Sequence, residues 1–262
     1  MSDTPLTIKE LNRFPVKGLS AEPLTSVDLV AGEGMPGDRL FGFARFNSGF
    51  DPKDPKPLPK DRFVVLLKVA GLAGLQTTFD DTTQQLEIAS TQTPQTFDMR
   101  DPAASVAAAR FLHETLGLAD PEPPRFVSSA PHRFTDVSVV SPQMMNAISV
   151  LNLNSVRDLE ERVGAAIHPA RFRANIVIDG LPPYAELDAV GEVLEFGDVS
   201  FRILSRTKRC AATEVNPETA ERDLKIPYLL RKELGHMDMG VYVEVVSGGT
   251  VKTAQNGRMH RD

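Results

Sequence analysis

Leu194-Glu195-Phe196-Gly197-Asp198-Val199-Ser200-Phe201-Arg202-Ile203-Leu204 alternates apolar and polar side chains on both sides of a two-residue break. Successive side chains of a strand point to opposite faces, so this period of two predicts strands. Gly197-Asp198 supplies the residue types that a two-residue hairpin turn needs. The stretch therefore predicts a β-hairpin.

The same signal recurs on either side. Val241, Val243 and Val245 alternate before Ser247-Gly248-Gly249, which turns into a further short strand, and Arg173–Ile178 and Phe63–Leu67 read as buried strands. Helical signals are fewer. Asp101 and Pro102 mark a helix start, Val106, Ala109, Leu112 and Leu116 give it an apolar stripe, and Gly117 ends it. Shorter helices are predicted after Ser141-Pro142, from about Asn154 to Arg162, and from Pro227 to Leu234, with Gly235 beyond. Many short strands with few helices predict an α+β, β-rich and barrel-like fold. Pro121-Glu122-Pro123-Pro124 is the best boundary between an N-terminal part (1–120) and a C-terminal part (125–262). The four prolines between Asp51 and Lys60 exclude a helix or a central strand and predict a surface loop.

Composition excludes several classes of function. The 262 residues carry 29 Lys and Arg against 35 Asp and Glu, a net charge of −6. That gives no support to a nucleic-acid or anionic-membrane partner. The single cysteine, Cys210, excludes an intrachain disulfide, an iron–sulfur cluster held by the chain's own thiolates, and a Cys-rich zinc site. The five histidines are scattered without metal-ligand spacing, and no serine sits in a G-x-S-x-G elbow. Gly32-Glu33-Gly34-Met35-Pro36-Gly37 matches G-x-G-x-x-G. However, strand-like residues rather than a helix follow it, so it reads as a loop and not a dinucleotide fingerprint. Met1–Pro5 has no basic, apolar leader pattern, and the expectation is a soluble, cytoplasmic protein.

Cys210 stands out because of its company, Arg206-Thr207-Lys208-Arg209-Cys210. A lone cysteine is commonly a small buried hydrophobe. Three cations in the four preceding residues favour a thiolate instead. If Arg206 and Arg209 face one cavity, they also suit a bidentate phosphate contact.

Longer patterns extend this reading. Arg171-Phe172-Arg173-Ala174-Asn175-Ile176-Val177 with Gly180-Leu181-Pro182 resembles the core signature of the MOSC-domain family. Arg209-Cys210, Thr213, Asn216-Pro217-Glu218-Thr219, Gly240-Val241-Tyr242 and Gly248-Gly249 continue the resemblance. Phe14-Pro15-Val16-Lys17-Gly18 and Gly37-Asp38-Arg39 are similar to the β-barrel segment that precedes MOSC domains. The resemblance implies a β-barrel that holds a pterin molybdenum cofactor, with Cys210 as the metal ligand and catalytic residue. It also implies that Lys17, Arg39 and Arg173 hold the cofactor's phosphate and pterin, and that Asn175 and Tyr242 line the pocket. Asn152 aligns with a serine or threonine of that pocket.

Departures from the family pattern are the glycine of Lys17-Gly18 in place of a serine, Thr207-Lys208 in place of Cys-Ser, the proline-rich loop, and no ferredoxin-like stretch. The implied function is reduction of a small N-hydroxylated or N-oxide substrate with electrons from an external donor protein. A Cys210 persulfide that carries sulfur, and a non-catalytic cofactor carrier, are the alternatives.

Overall fold

The computed structural model describes residues 4–90 and 93–260. The first strands are β1 (Thr4–Arg13), β2 (Glu22–Leu24), β3 (Ser26–Leu29) and β4 (Phe41–Ala44). Next come β5 (Gln76–Asp80), β6 (Gln85–Ala89), β7 (Gln95–Asp98) and β8 (Arg125–Ser128). The rest are β9 (Ile148–Asn152), β10 (Ile176–Asp179), β11 (Val193–Phe196), β12 (Val199–Lys208), β13 (Asp238–Ser247), β14 (Gly249–Lys252) and β15 (Asn256–His260). Helices α1 (Pro102–Leu116), α2 (Pro142–Met145), α3 (Leu153–Val163) and α4 (Ile226–Leu234) lie between them. The fold is β-rich α+β, and among the described residues no helix is long and apolar enough to cross a membrane.

The main sheet runs β10-β9-β13-β12-β11-β15-β1, and β1 pairs back onto β10, so seven strands close into a barrel. Closure removes the unpaired edges that an open sheet would expose. The β11–β12 hairpin pairs Phe196 with Val199 around Gly197-Asp198, as its alternation predicts. Inward residues of every stave, among them Ile8, Val150, Ile178, Phe201 and Val243, form one buried core. Helices α3 and α4 pack on each other and share a second core with Leu151, Phe172 and Val177.

A third core joins α1 to the β5-β6-β7 sheet. Asp101 caps α1 by accepting from the Ala103 amide, and Gly117 ends it in left-handed conformation. Its buried face is Ala108, Ala109 and Leu112, whereas Val106 is 56% exposed, so the expected stripe is corrected at that residue. Residues 63–66 are buried and Leu67 half-buried, but the segment forms no strand. Phe63 and Val65 enter one core and Val64 and Leu66 another, with only a single bridge from Phe63 to Ala44. The alternation is real, but the backbone turns at Val65 before a ladder can form. Likewise β10 begins at Ile176, because Arg173 has left-handed backbone.

Two features cross the break at residues 121–124. β4 pairs antiparallel with β8, and β1 is itself a stave of the barrel that the later strands build.

Candidate functional site

A cavity of about 450 Å³ opens where the barrel strands meet the N-terminal loops. It is lined by Ser149 of β9, by Arg173 and Asn175 just before β10, by residues 205–208 of β12, and by Tyr242 of β13. Lys17, Arg39 and residues 60–67 complete it. Eight lining residues are Lys or Arg and one, Asp136, is acidic, in a chain of net charge −6.

Cys210 lies in this cavity, partly exposed, at the entrance to a short 3₁₀ turn. The cation on its sulfur is not one of its sequence neighbours. Lys60 Nζ donates to Cys210 Sγ at 3.2 Å and to Asp136 Oδ2 at 3.1 Å. Lys17 Nζ donates to the other carboxylate oxygen, Asp136 Oδ1, and to the Phe134 carbonyl at 2.8 Å. Burial works against the charge of Lys60, but Asp136 and Cys210 outweigh it and hold its proton more tightly than usual. Burial would also raise Asp136, yet Lys17 and Lys60 keep it well below the usual carboxylate range. Lys17 is almost fully buried, and burial lowers its proton affinity more than Asp136 restores it.

Arg39 and Arg173 form a second group. Both adopt left-handed backbone, with φ 51 and 50, a conformation that costs a residue with a side chain roughly 1–2 kcal/mol. Both guanidiniums lie over the Phe14 ring, 4.6 and 4.3 Å from its centroid, a favourable cation–π arrangement. Arg39 pairs with Asp38 at 2.6 Å, and Asn175 donates to Asp38 at 3.0 Å and accepts from Ser149. Arg173 has only the Leu19 carbonyl, at 2.7 Å, and no carboxylate within ion-pair distance among the described residues. Burial, and then Arg39, push Arg173 down to about 9.

Arg209 donates to the Met239 and Phe172 carbonyls, and burial pushes it down to about 10. Its Nη2 is buried with no hydrogen-bond partner among the described residues, as is the Thr207 hydroxyl, and both residues line the cavity. Buried donors without acceptors cost free energy. An anionic, oxygen-rich ligand offers what they lack.

Seven of the expected cofactor-binding residues and Cys210 therefore reach one cavity: Lys17, Arg39, Arg173, Asn175, Arg206, Arg209 and Tyr242. One expectation needs correction. Asn152 lies away from the cavity, fully buried, where it caps α3 and donates to the Pro182 carbonyl and Glu186. Arg206 stands at the cavity edge, exposed, and is taken up by the Leu187 carbonyl and Asp188. Alternation along β12 and into Arg209 buries Thr207 and Arg209 and leaves Arg206 and Lys208 exposed, although all four line the cavity, so the basic run is not one buried cluster.

Residues 131–256 match the MOSC domain family. This stretch, slightly less than half of the chain, is thus similar to a MOSC domain. Molybdenum cofactor sulfurase of Drosophila willistoni is 31% identical over 117 residues, 44% of this chain and 14% of that protein. Mitochondrial amidoxime-reducing component 1 of Mus musculus is 41% identical over 78 residues, 30% of this chain and 22% of that protein. The matched stretch spans less than a quarter of either relative. The structure of YuaD from Bacillus subtilis superposes over 100% of this chain and 98% of its own, with a TM-score of 0.46 and 14% identity.

Lys60, Asp136 and Arg171 also line the cavity, although the sequence pattern gives none of them a site role. Lys60 ends the proline-rich loop, and a cation fixed at the end of a stiff segment is the signal that was present. Asp136 gives no local pattern. The glycine after Lys17 has a steric reason: φ is 87, and a Cβ there would meet the Val64 carbonyl oxygen at 2.4 Å.

Proposed function

We propose that this MOSC-like chain binds a pterin molybdenum cofactor through Cys210 and reduces N-hydroxylated or N-oxide substrates with electrons from a separate redox protein. The observation that carries the reading is the meeting of one cysteine sulfur and eight cationic residues in a single cavity. Among the described residues, no group of three or more His, Cys, Asp or Glu could hold a metal ion. A metal at Cys210 must therefore arrive with ligands of its own, and a soft thiolate suits it. The names of the sulfurase and amidoxime-reducing relatives are consistent with that cargo.

In this reading Cys210 supplies the protein's metal ligand. Lys17, Arg39, Arg173 and Arg209 would hold the phosphate and the pterin oxygens, and Asn175 fixes Arg39 both by accepting from its Nη1 and through Asp38. When bound, the cofactor supplies two-electron oxygen-atom chemistry that side chains cannot provide. The overall change takes two electrons and two protons, breaks the substrate N–O bond and releases water. Lys60 and Asp136 keep a fixed charge pair beside the sulfur.

A second reading is favoured by the Lys60–Cys210 contact alone: an accessible sulfur beside an ammonium is suited to carrying a persulfide. Metal and pterin analysis of protein made under molybdenum-replete conditions separates the two. Molybdenum near one per chain supports the first reading, and its absence with sulfane sulfur on Cys210 supports the second. Turnover of a hydroxylamine with an artificial electron donor then separates a reductase from a cofactor carrier.

A further inference from the structure

A second cavity, of about 490 Å³, lies beside the first and shares with it only Gly18, Leu66, Arg171, Arg173 and Ala212. Its volume falls within the roughly 300–1,000 Å³ of small-molecule sites. It follows the seam between two hydrophobic cores. Leu19, Leu72, Leu75 and Val215 belong to the core that α1 shares with the β5-β6-β7 sheet, and Ala174 and Val177 to the core under α3 and α4. The walls are therefore aliphatic on both sides.

Charge is unevenly placed around this space. Glu10 on β1 and Glu218 in the loop after Val215 are exposed, at the mouth. Arg171 brings its own counter-ion, Asp223, at 2.7 Å. Arg173 brings none: it is half-buried, with no carboxylate within ion-pair distance among the described residues. Its guanidinium donates to the Leu19 carbonyl at 2.7 Å and lies 4.3 Å from the Phe14 ring centroid. Leu19 and Phe14 line the second cavity and not the first, so the cation stands on the second cavity's wall. A guanidinium has several N–H donors, and the bond to Leu19 is the one that the Arg173 side chain makes among the described residues. Donors therefore remain for an anion on either side.

We propose that the second cavity is a separate binding site for an apolar monocarboxylate, an aliphatic or aryl acid, whose carboxylate pairs with Arg173 and whose body lies between the two cores. The site does not depend on whether a cofactor binds at Cys210. A partly desolvated cation gains most from a charge-assisted, bidentate carboxylate. The aliphatic walls reward chain length, by about four-fold in affinity for each methylene buried. The carboxylates at the mouth disfavour a second negative charge on the ligand.

The test is calorimetric titration of cofactor-free protein with hexanoate, octanoate and octylammonium. Octanoate should occupy a single site, about fifteen-fold more tightly than hexanoate and at least about ten-fold more tightly than octylammonium. Octylammonium bound as tightly as octanoate would place the charged head at Glu10 and Glu218 and overturn the proposal, as would no binding of octanoate. Arg173→Met, and separately Ala73→Trp, which narrows only the second cavity, should each weaken octanoate at least about ten-fold. Unchanged affinity in Arg173→Met overturns the proposal. Val140→Trp, on the exposed rim of the first cavity, should leave octanoate binding unchanged. Weakening by Val140→Trp with full binding by Ala73→Trp would put the acid among the first cavity's cations and overturn the proposal.

Discussion

Lys60 Nζ lies 3.2 Å from Cys210 Sγ, although 150 positions separate the two residues in the chain. The contact ties the proline-rich loop to the strand end that carries the sulfur. Asp136, shared with Lys17, makes the tie three-sided.

The loop should therefore be held at its C-terminal end by charge. In cofactor-free protein, Lys60→Ala is expected to speed amide hydrogen exchange over residues 53–62 several-fold. Cys210→Ala should do so less, because Asp136 still holds Lys60. Equal exchange in all three proteins would mean that the loop is fixed by its other contacts, such as the Arg125 bond to the Phe50 carbonyl.

Cys210→Ala should cost the fold little, within about 1 kcal/mol, since surface and half-exposed changes away from special contacts are small. Metal retention should fall to background. Molybdenum content and the thermal midpoint, measured on the same preparation, check both halves of the expectation.

Arg173 is a half-buried cation with no ion-pair partner among the described residues, and a partly desolvated, unpaired charge is kept at a cost to the fold. Arg173→Met should leave the cofactor-free protein as stable as the wild type or more so, while cofactor occupancy drops at least ten-fold. Phosphate should raise the wild-type thermal midpoint, and the variant should lose most of that rise. Ligand stabilisation grows as RT ln(1 + [L]/Kd), about 2.7 kcal/mol at one hundred times Kd.

Asp136 gives a pH expectation. Burial raises its proton affinity, but Lys17 and Lys60 bring it below the ordinary carboxylate value of about 3.9. The folded state therefore binds its proton less readily than the unfolded state. Its contribution is complete above the unfolded value and is lost progressively as pH falls below it. The stability gap between wild type and Asp136→Asn, measured by urea unfolding, should be constant from pH 5 to 7 and shrink below pH 4.

Gly240 has φ 73, and a Cβ there would stand 2.4 Å from the Val150 carbonyl oxygen and 3.2 Å from Arg209 Nη2. Gly240→Ala should destabilise by about 2 kcal/mol or more, combining strain with displacement. It should also lower cofactor occupancy, because Arg209 has to move. Urea midpoints and metal content together test this.

Local rules made parts of this molecule legible. The Asp101 cap, the Gly117 stop and the 193–203 hairpin depend on near neighbours, and they stand where period and turn chemistry put them. Cys210 was legible too, but through the wrong cations. The basic run before it alternates across β12, so Arg206 goes to Asp188 while Lys60 arrives from another segment. Asn152 shows the same limit: a polar residue at a strand end served a helix cap instead of the cavity. Chain proximity predicts local geometry, whereas the partners of a buried charge depend on which distant loops the fold brings alongside.

The balance of charge has a consequence for selection among anions. With the cavity's eight cations and single carboxylate set aside, the remainder of the chain carries −13. Fields from exposed charge fade over about 8 Å at physiological ionic strength. A large polyanion is therefore expected to meet net like charge over the rest of the chain. A small anion that enters the mouth leaves that field behind and is captured. This layout of ordinary side-chain charges is expected to favour small anions over large ones at the cavity mouth.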